Sequence, residues 1–312
     1  MTKQTNKMTT LRLSLAACLL LAAGSMPLPA QDMPKGTFSL IRMDDEFDAG
    51  EKTEPETETR QKKMDRLRST KKDMVLIPTG KFIMCIPDPI YGITKCSPGR
   101  EIYLDAFYID RYEVTVKQYR YFARVTGRKM PQQIPEKGYN SNTADNHPVV
   151  NIPWDEAKAY CEWADARLPT EAEWEKAARG GRNTLWSFGD DESMVKDYAT
   201  CMTKGGVSEP VNAKKPNSYG IYGMLGGVSE WTTFWYEKNY YADIPNRNPK
   251  GPASGTKRVT RGASYLSPCP HDEQPLIRRS WFPDLHMEQK IWSWKSFEVG
   301  FRCARTAQHS SL

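Results

Sequence analysis

The sequence predicts a mixed fold of short strands and helices in which loops outweigh regular secondary structure. Three observations support this prediction. The 312 residues include 22 prolines and 21 glycines and are 39% hydrophobic, a composition that favours turns. Strand-like and helical patterns lie between residues 74 and 182, and turns and aromatic residues dominate beyond them. All nine tryptophans fall between Trp154 and Trp294, so we expect an aromatic-rich core.

The first 30 residues are predicted to be an export signal. A positively charged start precedes an apolar core from Leu11 to Ala23, and small residues end the segment at Ala30. Cleavage near Ala30 would place the mature protein in the periplasm or outside the cell. The alternative is a lipoprotein whose lipidated N-terminus is Cys18, and only then would a membrane be a partner.

Residues 31–73 are predicted to be a charged linker. About half of them are charged, with an acidic block at Asp44–Glu58 and a basic block at Arg60–Lys72. Such a segment buries too little apolar surface to offset the entropy of ordering, so we expect disorder. The folded domain is predicted to span residues 74–312.

Six segments of the domain carry the periodicity of regular elements. Thr170 and Glu173 form a capping-box sequence, in which the hydroxyl accepts from the Glu173 amide and the carboxylate reaches back. A helix is therefore expected to begin after Thr170. The predicted strands are 74–78, 80–84 and 102–109, and the other predicted helices are 115–125 and 154–166.

Several function classes find no support in the sequence. The net charge of +6 is modest, and no basic run is long enough for a nucleic-acid groove. Four histidines without an HExxH or CxxC motif argue against most metallohydrolases and zinc modules. Neither GxxxxGK[ST] nor GxGxxG occurs, so a nucleotide-binding fold is not indicated.

Six landmarks stand in a characteristic order. They are YEVT at 112–115, HPVV at 147–150, WDEAKAYCEW at 154–163, RLPTEAEWEKAARGG at 167–181, NSYGIYGMLGGVSEW at 217–231, and RGAS at 261–264 with GFRC at 300–303. This set resembles the formylglycine-generating enzyme, or sulfatase-modifying factor, family. The resemblance implies an α+β, C-type-lectin-like fold with little regular secondary structure. In active members it implies a copper-dependent oxidase that converts a cysteine in a Cys-x-Pro-x-Arg context to formylglycine.

The copper ligands implied by the resemblance are missing. Active members hold Cu(I) between two cysteines five residues apart, just after the RGAS-aromatic motif, and Ser267 and Asp272 occupy those positions. A serine hydroxyl is a hard ligand with a far higher pKa than a thiol. We therefore predict that copper is not bound. Ser267, Cys269, His271 and Asp272 remain a candidate acid–base cluster, and a rigid proline-flanked loop explains them as simply.

The calcium positions implied by the resemblance are eroded as well. One site uses an Asp or Asn side chain where Gly223 stands, which leaves the carbonyls of Gly226 and Val228 and the carboxylate of Glu230 as candidate ligands. The other site uses an Asn where Thr200 stands. No cofactor is therefore predicted, with weakly bound Ca²⁺ as the alternative.

The cysteines are predicted to be structural. Loss of the signal removes Cys18 and leaves six, and an oxidising compartment favours disulfides. The resemblance implies a Cys161–Cys303 bond. Cys85 and Cys96 suit a local loop closure, which leaves Cys201 and Cys269 either as a third disulfide or as a metal-thiolate pair.

These inferences predict an exported domain that binds or scaffolds a protein or peptide partner. The first alternative is an oxidoreductase of the same family with cysteine-independent chemistry. The second is an envelope lipoprotein that belongs to a secretion or gliding machine.

Overall fold

The computed structural model of the chain describes residues 73–85, 99–131, 144–184, 186–201, 203, 206–237, 239–267, 279–283 and 296–307, the side chains of 279–283 excepted. These residues belong to one compact unit that spans residues 54–312. The predicted export signal and nearly all of the predicted linker lie outside the described residues. Within the described part of the chain, no helix is long and apolar enough to cross a membrane.

The described residues form an α+β fold of short elements, as the sequence predicts. The helices are α1 (Val116–Thr126), α2 (Trp154–Trp163), α3 (Glu171–Arg179) and α4 (Val195–Tyr198). The strands are β1 (Met74–Ile77), β2 (Gly80–Met84), β3 (Arg100–Leu104), β4 (Phe107–Asp110), β5 (Ala199–Thr200), β6 (Leu225–Gly226), β7 (Ser229–Trp235), β8 (Lys257–Arg261), β9 (Arg279–Pro283), β10 (Val299–Gly300) and β11 (Ala304–Thr306).

The strands form small sheets that join distant parts of the chain. One sheet has the order β1-β4-β11 and another the order β10-β7-β8-β9, while β2-β3 and β5-β6 are two-stranded. Strand β10 runs parallel to β7, and β11 runs antiparallel to β4. The two strands predicted at the start of the domain exist, but β1 pairs with β4 and β2 pairs with β3.

Two predicted elements are shorter than expected. The predicted strand 102–109 is divided into β3 and β4, because Asp105 turns toward Asn248: its N–H donates to Asn248 Oδ1 (2.9 Å) and its carboxylate accepts from Asn248 Nδ2 (2.7 Å). The predicted helix 154–166 ends at Trp163, since Asp165 adopts a left-handed backbone with φ of 57°. A side chain from a distant segment therefore divides the predicted strand, and a left-handed residue ends the predicted helix early.

The helix starts agree with the sequence. Thr170 and Glu173 form the predicted capping box at α3, and Thr115 forms a second box with Gln118 at α1. The Glu173 carboxylate also accepts two bonds from Arg167, of 2.7 and 2.6 Å. Every residue of α3 is buried, and the helix packs against β2, β7 and β8. The charged side chains of α3 must therefore find partners inside the protein.

An aromatic cluster and a disulfide hold α1, α2 and the C-terminal strands together. Tyr119 of α1 and Tyr160 of α2 both pack against Phe301, with ring centroids 6.3 and 5.3 Å from it. The Cys161–Cys303 disulfide implied by the resemblance is present, with the two Cα atoms 5.5 Å apart. The C-terminal segment is thereby fixed where its Arg302 side chain enters the interior.

Candidate functional site

The turn after β8 contains Ser267, the residue at the first copper-ligand position. The Ser267 N–H donates to the Ser264 carbonyl (3.0 Å), and the Ser267 Oγ accepts from the Ser264 N–H (3.0 Å). The two Oγ atoms are 3.1 Å apart, and Ser264 Oγ also donates to the Glu298 carboxylate. Ser267 is 4% exposed. Its hydroxyl closes the turn and is not presented to solvent.

The turn is tied to three other segments through Tyr265. The Tyr265 N–H donates to the Gly227 carbonyl (2.8 Å), and its phenol donates to the Phe297 carbonyl (3.1 Å). Its own carbonyl accepts from the Thr203 N–H (3.0 Å). Residues 264–267 therefore form a fixed wall between the glycine-rich turn before β7 and the loop that contains Thr203.

A cavity of about 470 Å³ lies beside this wall. Its polar lining includes Thr203, Ser208, Glu209 and Lys214, and Cys201 also lines it. Lys214 Nζ lies 3.3 Å from Glu209 Oε2. The cavity thus offers a carboxylate, an ammonium group and hydroxyls, which are the groups that recognise a polar ligand such as a peptide.

His147 supports one side of this cavity. Its Nδ1 lies 3.0 Å from Ser208 Oγ. Partial burial lowers the pKa of His147 below its ordinary value, and a hydrogen bond to the Ser208 backbone and the charge of Glu209 oppose this only in part. The imidazole is therefore neutral at pH 7 and able to accept a proton.

Two clusters of charged side chains are buried in the interior, and the first is balanced. It contains Arg179 and Arg261 with Glu171 and Glu175. Glu175 accepts from Arg179 Nη2 and from Arg261 Nη2 at 2.6 Å each, and Arg261 Nη1 donates to Glu171 at 3.2 Å. Two positive charges face two negative charges. The cluster ties α3 to the end of β8.

The second cluster centres on Arg302, and its guanidinium is saturated. Nε and Nη2 donate to the two oxygens of Glu230 at 2.7 Å each, and Nη2 also donates to the Tyr222 carbonyl at 2.9 Å. Nη1 donates to the carbonyls of Asp110 (3.1 Å) and Arg111 (3.3 Å). Arginine has five N–H groups. All of them are therefore used.

Two further carboxyls of this cluster have raised pKa values. Glu113 is 2% exposed, and neither of its oxygens accepts a hydrogen bond of normal geometry. Burial raises the pKa of Glu113 to about 8, while the charge of Arg302 lowers it in part. Asp110 accepts from the Cys303 N–H (2.8 Å), and burial raises the pKa of Asp110 to about 7.

Comparison with known proteins identifies the family. The model of the sulfatase-modifying factor enzyme 1-like domain matches residues 59–307. The chain belongs to this family. It is 33% identical to the formylglycine-generating enzyme of Bos taurus over 246 residues, which cover 62% of this chain and 66% of that enzyme. It is 30% identical to the inactive C-alpha-formylglycine-generating enzyme 2 of Mus musculus over 288 residues, which cover 75% of this chain and 86% of that protein.

A solved structure agrees on the fold. PvdO from Pseudomonas aeruginosa superposes with a TM-score of 0.64 and 22% sequence identity, covering 75% of this chain and 94% of that chain. This likeness confirms the predicted fold of the family. The family contains both oxidoreductase enzymes and an inactive relative, so membership alone does not assign an activity.

Ser267, at the first copper-ligand position that the resemblance implies, offers no thiolate to a metal. Of the candidate cluster, Ser267 is described, and Cys269, His271 and Asp272 lie outside the described residues. Ser267 is buried and bonded within its turn. Cys85 and Cys201 are both disulfide-bonded, which leaves no free thiol among the described cysteines. The predicted partners Cys96 and Cys269 lie outside the described residues, so those two pairings stay predictions.

At the calcium positions of the family, the candidate side chains are hydrogen-bonded to other protein groups. Glu230, one candidate ligand, directs both oxygens at Arg302 and also accepts from Trp174 Nε1 (2.8 Å). Gly226 ends β6, and Val228 lies between β6 and β7. At the other position, Thr200 Oγ1 donates to Glu209 (2.8 Å), whose other neighbour is the Lys214 ammonium. Among the described residues, no group of three or more His, Cys, Asp or Glu side chains has a metal-binding arrangement.

Sequence reasoning missed Glu113 and the pair of His147 with Ser208. Glu113 lies within the YEVT landmark, yet nothing in that motif shows that its carboxylate is buried without a partner. A charged residue between apolar positions of a landmark was the one available signal. His147 begins the HPVV landmark, and nothing in the sequence indicates that Ser208 is its partner.

Proposed function

We propose that this chain is an exported member of the sulfatase-modifying factor family that binds a protein or peptide and does not oxidise cysteine through copper. The observation that carries the proposal is the state of Ser267. A Cu(I) site needs a thiolate at this position, and here a buried hydroxyl bonds to Ser264. Moving it toward a metal would break the turn that supports the cavity wall.

The cavity supports the binding part of the proposal. Its lining combines Glu209 and Lys214 with the hydroxyls of Thr203 and Ser208, and the fixed turn at 264–267 lies beside it. A rigid polar surface of this kind suits recognition, because little ordering entropy is lost when a ligand binds.

The proposal is tested with the full chain in two independent assays. In the first, the protein is mixed with Cu(I) and a Cys-x-Pro-x-Arg peptide, and mass spectrometry measures formylglycine. We expect none, and conversion of the peptide would refute the loss of copper chemistry. In the second, binding of the Ser-x-Pro-x-Arg analogue is measured by fluorescence anisotropy.

The binding assay has a matched pair of variants. Lys214 lines the cavity, whereas its neighbour Lys215 pairs with Asp197 at 2.8 Å away from the lining. We expect Lys214→Met to weaken peptide binding about tenfold, the loss of one charge-assisted hydrogen bond, and Lys215→Met to leave it unchanged. Equal effects of the two substitutions, or no binding by the unmodified chain, would contradict a peptide site at this cavity.

A second candidate function is an enzyme with different chemistry, and the pair of His147 and Ser208 favours it. A neutral imidazole within hydrogen-bond distance of a hydroxyl is the arrangement that activates a serine nucleophile. A fluorophosphonate probe tests it. Labelling that Ser208→Ala abolishes and Ser267→Ala retains would support an enzyme, while absence of labelling would exclude an activated serine.

Export is part of the proposal and is supported by residues 1–30 alone. Mass spectrometry of the mature N-terminus distinguishes the alternatives. A chain that begins near Gln31 would agree with cleavage by a signal peptidase. A diacylglycerol-modified Cys18 would instead favour the envelope lipoprotein.

A further inference from the structure

The solvent-facing side of α1 carries positive charge only. The helix contains no Asp or Glu, and the side chains of Lys117, Arg120 and Arg124 are exposed. Because residues three or four positions apart share one side of a helix, these three cations form a single row. The opposite side of α1 packs into the core through Val116, Tyr119, Phe122 and Ala123.

Two further cations follow the helix directly. Gly127 ends α1 with a left-handed φ of 71°, and the next two residues are exposed. The Arg128 N–H donates to the Ala123 carbonyl at 2.9 Å, which holds this extension against the end of the helix. We call the whole surface the basic row, and it consists of Lys117, Arg120, Arg124, Arg128 and Lys129.

Nearby acids compensate only part of this charge. Arg120 pairs with Asp145, and the two side chains are 45% and 55% exposed. Arg128 pairs with Glu156 at 2.6 Å. Within the part of the chain that the structure describes, no carboxylate pairs with Lys117, Arg124 or Lys129. Exposed ion pairs contribute little to stability, so the basic row offers its charge to an external anion.

Two aromatic rings flank the basic row. Tyr121 and Trp163 are half-buried, and their ring centroids are 6.1 Å apart. The Arg124 Cζ atom lies 5.4 Å from the centroid of the Tyr121 ring. Tyrosine and tryptophan are enriched where a protein meets the headgroups of a bilayer, because each has an apolar body and a polar end.

We propose that the basic row is a docking surface for a membrane that contains anionic phospholipids. An exposed helix face is convex, and no residue of α1 lines the cavity described above. Mobile phosphate headgroups rearrange around such a row of flexible cations, whereas a folded acidic partner would need a matching surface. The contact needs no lipid on Cys18. It goes beyond the proposed peptide binding and does not depend on it.

The test measures binding of the full chain to lipid vesicles by co-sedimentation at low ionic strength. One kind of vesicle contains phosphatidylcholine alone, and the other also contains about 30% phosphatidylglycerol. We expect the anionic vesicles to bind about a hundredfold more tightly. Salt at about 0.5 M should remove the difference, because it screens the exposed charges. Equal affinity for the two kinds of vesicle at low salt would overturn the proposal.

One double variant removes two unpaired charges from the basic row. Lys117→Gln combined with Arg124→Gln should weaken binding to the anionic vesicles about thirtyfold. Glutamine favours a helix about as well as lysine and arginine do, and circular dichroism checks the fold. Lys129→Gln changes a residue outside the helix and should cost about fivefold by itself. Unchanged affinity in either variant would refute the assignment.

A matched control removes the same charge from other elements. Lys81 on β2 and Arg182 after α3 are both exposed, and Lys81→Gln combined with Arg182→Gln should bind like the unmodified chain. Residues 1–72 are the same in every variant, so the comparison isolates the folded domain. Equal losses in the two double variants would mean that net charge alone is responsible. Tighter binding to poly-glutamate than to the vesicles, at equal charge concentration, would instead assign the basic row to an acidic protein.

Discussion

The two buried charge clusters use the same residue types in opposite ways. Around Arg261, two arginines face two glutamates and the charges balance. Around Arg302, the acids Glu230, Glu113 and Asp110 outnumber the arginines, because only Arg302 and the charge of Arg305 near Asp110 oppose them. A balanced cluster holds secondary-structure elements together, whereas a buried cluster with excess acids favours the binding of a proton or a cation. The comparison therefore separates a structural cluster from a candidate site, although both lie largely in the interior.

The largest expected effect breaks the balanced cluster. Arg261→Met leaves Glu171 and Glu175 buried without their shared cation, and we expect the free energy of unfolding to fall by about 3–5 kcal/mol. Urea denaturation measures the change. Arg247→Met is the control, because Arg247 pairs with Asp105 at the surface, and it should cost less than about 1 kcal/mol. Similar losses in the two variants would mean that the buried cluster contributes no more to the free energy of unfolding than a surface ion pair.

An intermediate effect tests the crowding around Glu113. Gly223 and Gly127 share a φ of 71°, but a Cβ on Gly127 would meet nothing within 4 Å. Backbone strain alone should make Gly127→Ala cost about 1 kcal/mol, and overlap with Glu113 should make Gly223→Ala cost about 1–3 kcal/mol more. Chemical denaturation gives both values.

A double substitution isolates the overlap. Adding Glu113→Ala to Gly223→Ala removes the carboxylate that the new methyl group meets. The excess cost over Gly127→Ala should then largely disappear. Strictly additive effects would show that the Gly223 turn and Glu113 do not interact.

A further expected effect, spread over several pH units, is a pH dependence that only the unbalanced cluster should show. In the folded chain the pKa of Asp110 is raised to about 7 and that of Glu113 to about 8, above the ordinary values of 3.8 and 4.5. The folded state therefore retains protons that the unfolded chain releases. These two groups should therefore contribute most to the free energy of unfolding below about pH 4. Their contribution should fall as the pH rises toward 8.

The slope of this dependence assigns it to Glu113. Each retained proton contributes about 1.4 kcal/mol per pH unit at most. In Glu113→Gln, the free energy of unfolding should fall less steeply between about pH 5 and 8, because only the proton of Asp110 still contributes to the slope. Parallel stability curves for Glu113→Gln and the unmodified chain would exclude Glu113 as the titrating group.

Much of the fold followed from local patterns. The α3 capping box at Thr170 and Glu173, the start of α1 at Thr115 and the strands at 74–77 and 80–84 depend on residues within a few positions of each other. The pairing of these strands could not be predicted locally, because β1 pairs with β4 and β2 pairs with β3. The predicted strand 102–109 was wrong as one element, since Asn248 interrupts it from more than a hundred residues away in the chain.

The candidate site divides in the same way. The prediction that Ser267 and Asp272 replace the copper ligands needs only the family landmarks, and the Cys161–Cys303 disulfide follows from the same landmarks. The commitment of Ser267 to Ser264 and of Glu230 to Arg302 is not visible. Arg302 and Glu230 are 72 positions apart, and nothing local indicates which acid takes the arginine.

The sequence by itself determined the family and the main helices, and it predicts that the copper cysteine pair is missing. Only the tertiary structure decided that Glu230 neutralises Arg302 while Glu113 is left without a partner. The physical reason is that capping and periodicity are set by neighbouring residues, whereas burial and charge balance depend on which distant segments meet. The need for glycine at positions 223 and 227 is likewise explained only by the Glu113 carboxylate that lies beside them.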